Sequence, residues 1–166
     1  MITRPGTLSE AVQRSLSRGD SLQPHFSEFL DEFYVHLRPS IRDDDELAAM
    51  LIDEPDPVSP SVDAFLAATA EHLMHRWCID GQVPQWTESP SRFLRGAAYN
   101  DSRNDEDSAT HFRDSPTAFR RRMLFVCADP LRRARMPKDA RWWAFEEFLY
   151  GVPRPTNWRD LTFERR

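Results

Sequence analysis

Apolar residues recur along this chain at helical rather than strand spacing. Leu8, Val12 and Leu16 fall at i, i+4 and i+8, behind a Thr7-Leu8-Ser9-Glu10 capping box in which Thr7 accepts from the Glu10 amide and Glu10 reaches back. Gly19 supplies the stop. The stretch from Leu22 to Leu37 is stronger still. Phe26, Phe29, Leu30, Phe33 and Leu37 form one apolar face, and Arg38-Pro39 ends it. Asp43-Asp44-Asp45-Glu46 opens a third, short helix whose buried face is Leu47, Met50 and Leu51. Acidic residues at a helix start are stabilised by the unpaired amides and the macrodipole, so this run needs no metal to explain it.

A fourth helix follows the proline-rich turn EPDPVSPS, with Ser59 as N-cap and Pro60 at the first helical position. Val62, Phe65, Leu66, Thr69, Leu73 and Trp77 lie on one stripe. Beyond Cys78 the pattern weakens into a loop around Trp86, and Ser89 to Leu94 reads as one helical turn. Residues 96–114, GAAYNDSRNDEDSATHFRD, are polar and aperiodic and predict a long mobile loop. Ser115-Pro116 repeats the cap-then-proline signature and predicts a helix over Thr117–Phe125. The block MLFVC could pass for a buried strand, but it has no second strand to pair with. Asp129-Pro130 predicts a further short helix. Lys138 to Tyr150 predicts the last, carrying Trp142, Phe145, Phe148 and Leu149 and ending at Gly151.

The resulting expectation is an all-α, single-domain bundle of five to seven helices over residues 1–166. Its parts are an N-terminal helix (1–21), an amphipathic helical core (22–95), the mobile loop (96–114), a basic helical segment (115–150) and a tail (151–166) that packs Trp158 against the body or stays loose.

Composition refines this picture. Of the 22 basic residues 21 are arginine and only Lys138 is lysine, a bias that GC-rich coding alone accounts for. The net charge of −5 argues against a general nucleic-acid binder. Residues 1–112 hold nine basic and 20 acidic side chains, whereas residues 113–166 hold 13 basic and seven acidic. Such asymmetry suits either an acidic partner or attraction between the two segments within the fold. Cys78 and Cys127 lie far apart, no secretory signal precedes the first helix, and no apolar run is long enough to span a membrane. A cytoplasmic protein with reduced thiols and no membrane contact is expected.

Signals of catalysis are few. No Gly-x-Ser-x-Gly elbow, P-loop or dinucleotide glycine pattern occurs, and five glycines leave little material for a phosphate cradle. Cys127 sits in an apolar block as a small hydrophobe. The metal candidates are His72, His75 and Cys78, in HLMHRWC. On a helix His72 and His75 are neighbours, but Cys78 is roughly 240° around from His72 and joins them only if the helix ends at Trp77. Boundary and surface histidines are the plainer account. The expectation is no enzyme and no cofactor, with a small metal-dependent enzyme on His72 and His75 as the third choice.

The stretch SPTAFRRRMLFVCADPLRRA carries the sharper question. In a helix Arg120, Arg121 and Arg122 fan over roughly 200°, so at least one borders the face of Phe119, Met123 and Val126 and is structural. Arg132, Arg133 and Arg135, then Lys138 and Arg141, extend the block. The expected partner-binding residues are Arg120, Arg121, Arg122, Arg132, Arg133 and Arg135, gripping a protein through bidentate pairs. The alternative is a nucleic-acid-associated accessory role for residues 113–141, although the aromatics here sit at core-like spacing.

FSEFLDEFY, DAFLAATAEHL, PSRFL and above all SPTAFRRRMLFVCADPLRRA also resemble a group of poorly characterised bacterial helical proteins. In that group a proline, a phenylalanine and three arginines precede an apolar run and a final arginine–alanine. The family's members often follow an N-terminal helix-turn-helix domain and are encoded beside nucleotidyltransferase-like toxins. Over residues 22–134 the resemblance implies an antitoxin-like partner of a nucleotidyltransferase-type protein, acting by protein–protein contact. This chain departs from the pattern in having one short helix ahead of Leu22, which leaves no room for the helix-turn-helix. The segment after Arg135 lies outside the resemblance.

Overall fold

Each of the first four helices begins where the sequence offers a cap. The computed structural model describes residues 3–151. Helix α1 (Leu8–Arg18) starts with Thr7 accepting from the Glu10 amide at 3.0 Å. The Glu10 carboxylate reaches back to the Gly6 amide at 2.7 Å. Ser21 caps α2 (Leu22–His36). Asp43 caps α3 (Asp44–Ile52) by accepting from the amides of Asp45 and Glu46. The acidic run is therefore a helix start. Helix α4 (Pro60–Arg76) has proline at its first turn but no bond from the Ser59 side chain. Its entry is held instead by Asp63, whose carboxylate accepts from the Val58 amide at 2.8 Å.

The phenylalanine face of α2 forms the centre of the main core. Phe29, Phe33, Leu30 and Leu37 pack there with Leu8 and Val12 of α1, Leu47 and Leu51 of α3, and Leu66, Leu73 and Trp77. A smaller core lies on another side of α4 and joins Ala64 and Ala68 to Phe119, Leu124 and Val126. Helix α4 thus runs between two cores. Twelve of its 17 residues are buried, so it is not the one-sided helix that its apolar stripe suggests. Its alanines let chain approach on nearly every side. Two 3-10 turns, Gln85–Glu88 and Pro90–Arg92, follow it, and Trp86 there donates to the Leu51 carbonyl at 3.1 Å.

The segment expected to be a mobile loop, 96–114, contains a strand and a helix. Strand β1 (Tyr99–Asn100) precedes α5 (Asp105–Asp114), which buries no residue. Asn104 accepts from the Asp107 amide at 2.8 Å, and three acids occupy the first turn. Capping and charge–dipole attraction hold this helix, so it leaves no apolar period to read.

The helix expected over Thr117–Phe125 is shorter. Helix α6 (Thr117–Arg120) makes one turn, and the chain then reverses through Met123, whose φ is 61°. Leu124–Phe125 becomes β2, paired in parallel with β1, Tyr99 opposite Leu124 and Asn100 opposite Phe125. The missing second strand is supplied by the polar segment. After Asp129-Pro130 no helix forms: Leu131 takes a left-handed backbone, φ 64°, and the Asp129 carboxylate pairs with Arg76. The final helix, α7 (Ala140–Tyr150), is capped by Asp139 and stops at Gly151, whose φ of 63° suits glycine. The fold is all-α apart from this small sheet. The tail carrying Trp158 lies outside the described residues.

Candidate functional site

Helix α4 is buried nearly all round yet carries Asp63, Glu71, His72 and Arg76 inside. Buried charges need partners, and these find theirs in chain that arrives later. Arg92 approaches Asp63 at 3.6 Å and donates to Glu54 at 3.1 Å. Arg122 donates to Glu71, to the Ala118 carbonyl at 2.7 Å and to the Thr87 carbonyl at 2.8 Å. Arg76 meets Asp129 at 3.0 Å and Asp139 at 2.6 Å, with its guanidinium 4.2 Å from the centre of the Trp77 ring. Desolvation opposes ionisation of Asp139, but the Arg76 guanidinium and the Trp142 amide hold its carboxyl below the ordinary range. Three charged residues of one helix, Asp63, Glu71 and Arg76, therefore staple later segments of the chain to it.

The block of arginines is largely absorbed by this fold. Arg122 is 0 % exposed; one structural arginine is expected on a helix face, but Arg122 sits in the turn that follows α6. Arg121 pairs with Glu88 and lies 3.5 Å from Glu71. Arg132 pairs with Glu146 and stacks over Trp142, 3.7 Å from the ring centre. Arg133 binds Asp31 of α2 through two bonds of 2.8 and 2.7 Å, which holds the Asp31 carboxyl below its ordinary range. Arg120 is exposed and donates to the carbonyls of Arg113 and Ser115. Arg135 is exposed beside Asp31. Four of the six candidates, Arg121, Arg122, Arg132 and Arg133, pair with carboxylates of this chain. Acidic and basic halves of the chain attract each other within the molecule, as in Asp31–Arg133, Glu71–Arg122 and Glu88–Arg121.

The metal candidates separate. Helix α4 ends at Arg76, and Cys78 follows with φ 48°. His75 and Cys78 are exposed, whereas His72 is buried against Phe119 at 5.5 Å between ring centres. The expectation of a boundary histidine fails for His72. Burial, aided by the Arg76 charge, pushes its pKa down to about 3, so it is neutral and packs as an apolar ring. Among the described residues no group of three or more histidines, cysteines, aspartates or glutamates is placed to hold a metal. Burial also pushes the Cys127 thiol up, which makes it a poor nucleophile.

A different surface stands open. The turn between α1 and α2, the start of α4, and the small sheet enclose an apolar groove of about 720 Å³. Leu16, Leu22, Phe26, Val62, Phe65 and Leu124 form its walls. Gly19, at φ 65°, turns the chain. Its amide donates to the Leu16 carbonyl and the Asp20 amide to the Ser15 carbonyl, a Schellman closure that aims Leu16 and Asp20 at the groove. Leu16, Val58 and Tyr99 remain 47, 41 and 52 % exposed around it. Half-exposed apolar side chains from three separate elements make one contiguous patch of the kind that marks interaction sites.

No protein-family model, curated protein or solved structure matches this chain.

Sequence spacing had no means of finding the groove. Its residues come from α1, α4 and a strand hidden in polar sequence, and each looks like ordinary core when read along its own element. The one local signal is Leu16-x-x-Gly19-Asp20, which predicts where the first helix turns but not what the turn faces. Among the described residues no helix is long and apolar enough to cross a membrane.

Proposed function

We propose that this protein is a non-enzymatic interaction module that receives an apolar element of a protein partner in the groove between α1, α4 and the β1–β2 sheet. The observation that carries this reading is the groove itself, about 720 Å³ and rimmed by half-exposed Leu16, Val58 and Tyr99. Its volume lies within the roughly 300–1,000 Å³ typical of binding sites. The polar groups around it favour binding over chemistry. The Ser15 hydroxyl donates to the Asp20 carbonyl at 2.8 Å, and His25, which holds the Asp20 carboxylate, is buried away from the opening. Neither forms a nucleophile beside an accessible base.

The finer reading is an antitoxin-like partner of a nucleotidyltransferase-type protein. It is supported by the four sequence blocks that resemble the bacterial family, three of which contribute to α2, α4 and the arginine seam. The groove lies between the ends of two of these helices, so family-like helices would present the docking surface.

Co-expression with the product of the adjacent open reading frame tests both levels. A stoichiometric complex that is lost in Leu16→Asp is the expected result. No complex with the full chain overturns the antitoxin-like reading. A complex indifferent to Leu16→Asp overturns the groove as its seat.

A further inference from the structure

Among the described residues, the groove is lined by carboxylates and no cation. Of its lining residues only Asp20 and Asp101 are charged, in a chain with 22 lysines and arginines. The two acids reach the rim from unrelated places, Asp20 from the α1–α2 turn and Asp101 from the end of β1. Each is gripped from behind by a histidine. His25 Nε2 lies 2.8 Å from Asp20 Oδ1, and His111 Nδ1 lies 3.0 Å from Asp101 Oδ1. That grip fixes the carboxylates without covering them, since both side chains stay 47 % exposed. A positioned carboxylate beside an apolar wall attracts a cation more strongly than one free in water, because the wall lowers the local dielectric.

Resting on the reading of the groove as a partner site, we infer that its occupant is an amphipathic helix of a partner protein, apolar on one face and bearing lysine or arginine at its flanks. The apolar face packs on Leu16, Val58, Val62 and Phe65, and the flanking cations meet Asp20 and Asp101. A helix fits better than an added strand. The sheet beside the groove has strands of two residues each, Tyr99–Asn100 and Leu124–Phe125, so an extended peptide would find few backbone partners there. An acidic helix would bring its carboxylates against Asp20 and Asp101 with no cation in the lining to offset them.

The probe is a fluorescent leucine/lysine peptide of about 18 residues, five helical turns, compared with a leucine/glutamate peptide of the same apolar pattern. Anisotropy titration of the full chain should show the lysine peptide binding at least about tenfold more tightly, with affinity falling as salt rises. Asp20→Asn with Asp101→Asn should remove that preference while leaving the circular dichroism unchanged. Ser61→Trp, at an exposed position on the groove wall, should abolish binding of both peptides. Equal binding of the two peptides, unaffected by the double asparagine variant, overturns the basic helix while leaving the groove reading intact. Peptide binding that survives Ser61→Trp overturns both. Concentration-dependent self-association that Ser61→Trp removes would replace the partner helix with a second copy of this chain.

Discussion

The arginine seam and the groove lie on opposite terms with their surroundings. In the seam, where later arginines meet acids of the same chain, charges are paired within the molecule, although Arg120, Arg121 and Arg135 stay exposed. Arg122 is buried on Glu71, Arg76 bridges Asp129 and Asp139, and Arg133 clasps Asp31. In the groove, inconspicuous residues such as Leu16, Val58 and Ser61 face outward, and none of the described residues is laid over them. The difference teaches that a run of like charge reports on recognition only after its internal partners have been counted. Here the acidic first part of the chain supplies most of those partners.

The largest expected effect is in the seam. Arg122→Met removes the nearer partner of buried Glu71, leaves it only Arg121 at 3.5 Å, and should cost up to about 3–5 kcal/mol, the range for breaking a buried pair. Denaturant unfolding measures it. Adding Glu71→Leu should recover most of the loss, since a well-packed apolar pair replaces an ion pair at little net cost. A double variant as unstable as the single one would show that the bonds from Arg122 to Ala118 and Thr87, rather than the ion pair, hold the seam.

In the groove the balance reverses. Leu16→Asp should leave stability within about 1 kcal/mol of the parent, because Leu16 is half exposed, yet it should abolish partner capture. Unfolding of this variant would place Leu16 in the core and erase the contrast.

A third, smaller effect is a pH slope. His72 is neutral in the fold, with its pKa moved from 6.5 to about 3. In the unfolded chain it binds a proton below its ordinary pKa. Its contribution is therefore complete above pH 6.5 and is lost progressively as pH falls from 6.5 towards 3, by up to about 1.4 kcal/mol per unit. His72→Leu should flatten the stability profile just below pH 6.5. A profile with unchanged slope there would assign the loss to other groups. Asp139 adds to the acid limb with its carboxyl lowered, its contribution present above its ordinary pKa of 3.8 and lost below it.

Least affected should be Arg135→Ala. Arg135 is exposed, and the expected change in unfolding free energy is within about 0.5 kcal/mol. A larger loss would extend the seam further along the chain than the ion pairs indicate.

Much of the fold is legible along the chain. The helices α1, α3 and α4 announce themselves through Thr7, the acidic run from Asp43 and Pro60 at their starts, and α2 and α7 through apolar spacing alone. The elements missed are those that periodicity does not encode. Helix α5 buries nothing and rests on Asn104 and its acids. Strands β1 and β2 are two residues each and exist only through one another. Asp129-Pro130 looks like a helix start and fails as one where Leu131 turns left-handed, with φ 64°.

The chain read alone determined the all-α class, the starts of α1, α3 and α4, and the Phe-rich centre. Those follow from local spacing and from the geometry of a helix turn. Tertiary structure alone decided which arginine is buried, which carboxylate receives it, and which apolar residues stay uncovered. The reason is physical: a charge selects its partner by proximity and desolvation, and a groove is the space that several elements fail to fill, neither of which is a property of any one stretch of chain.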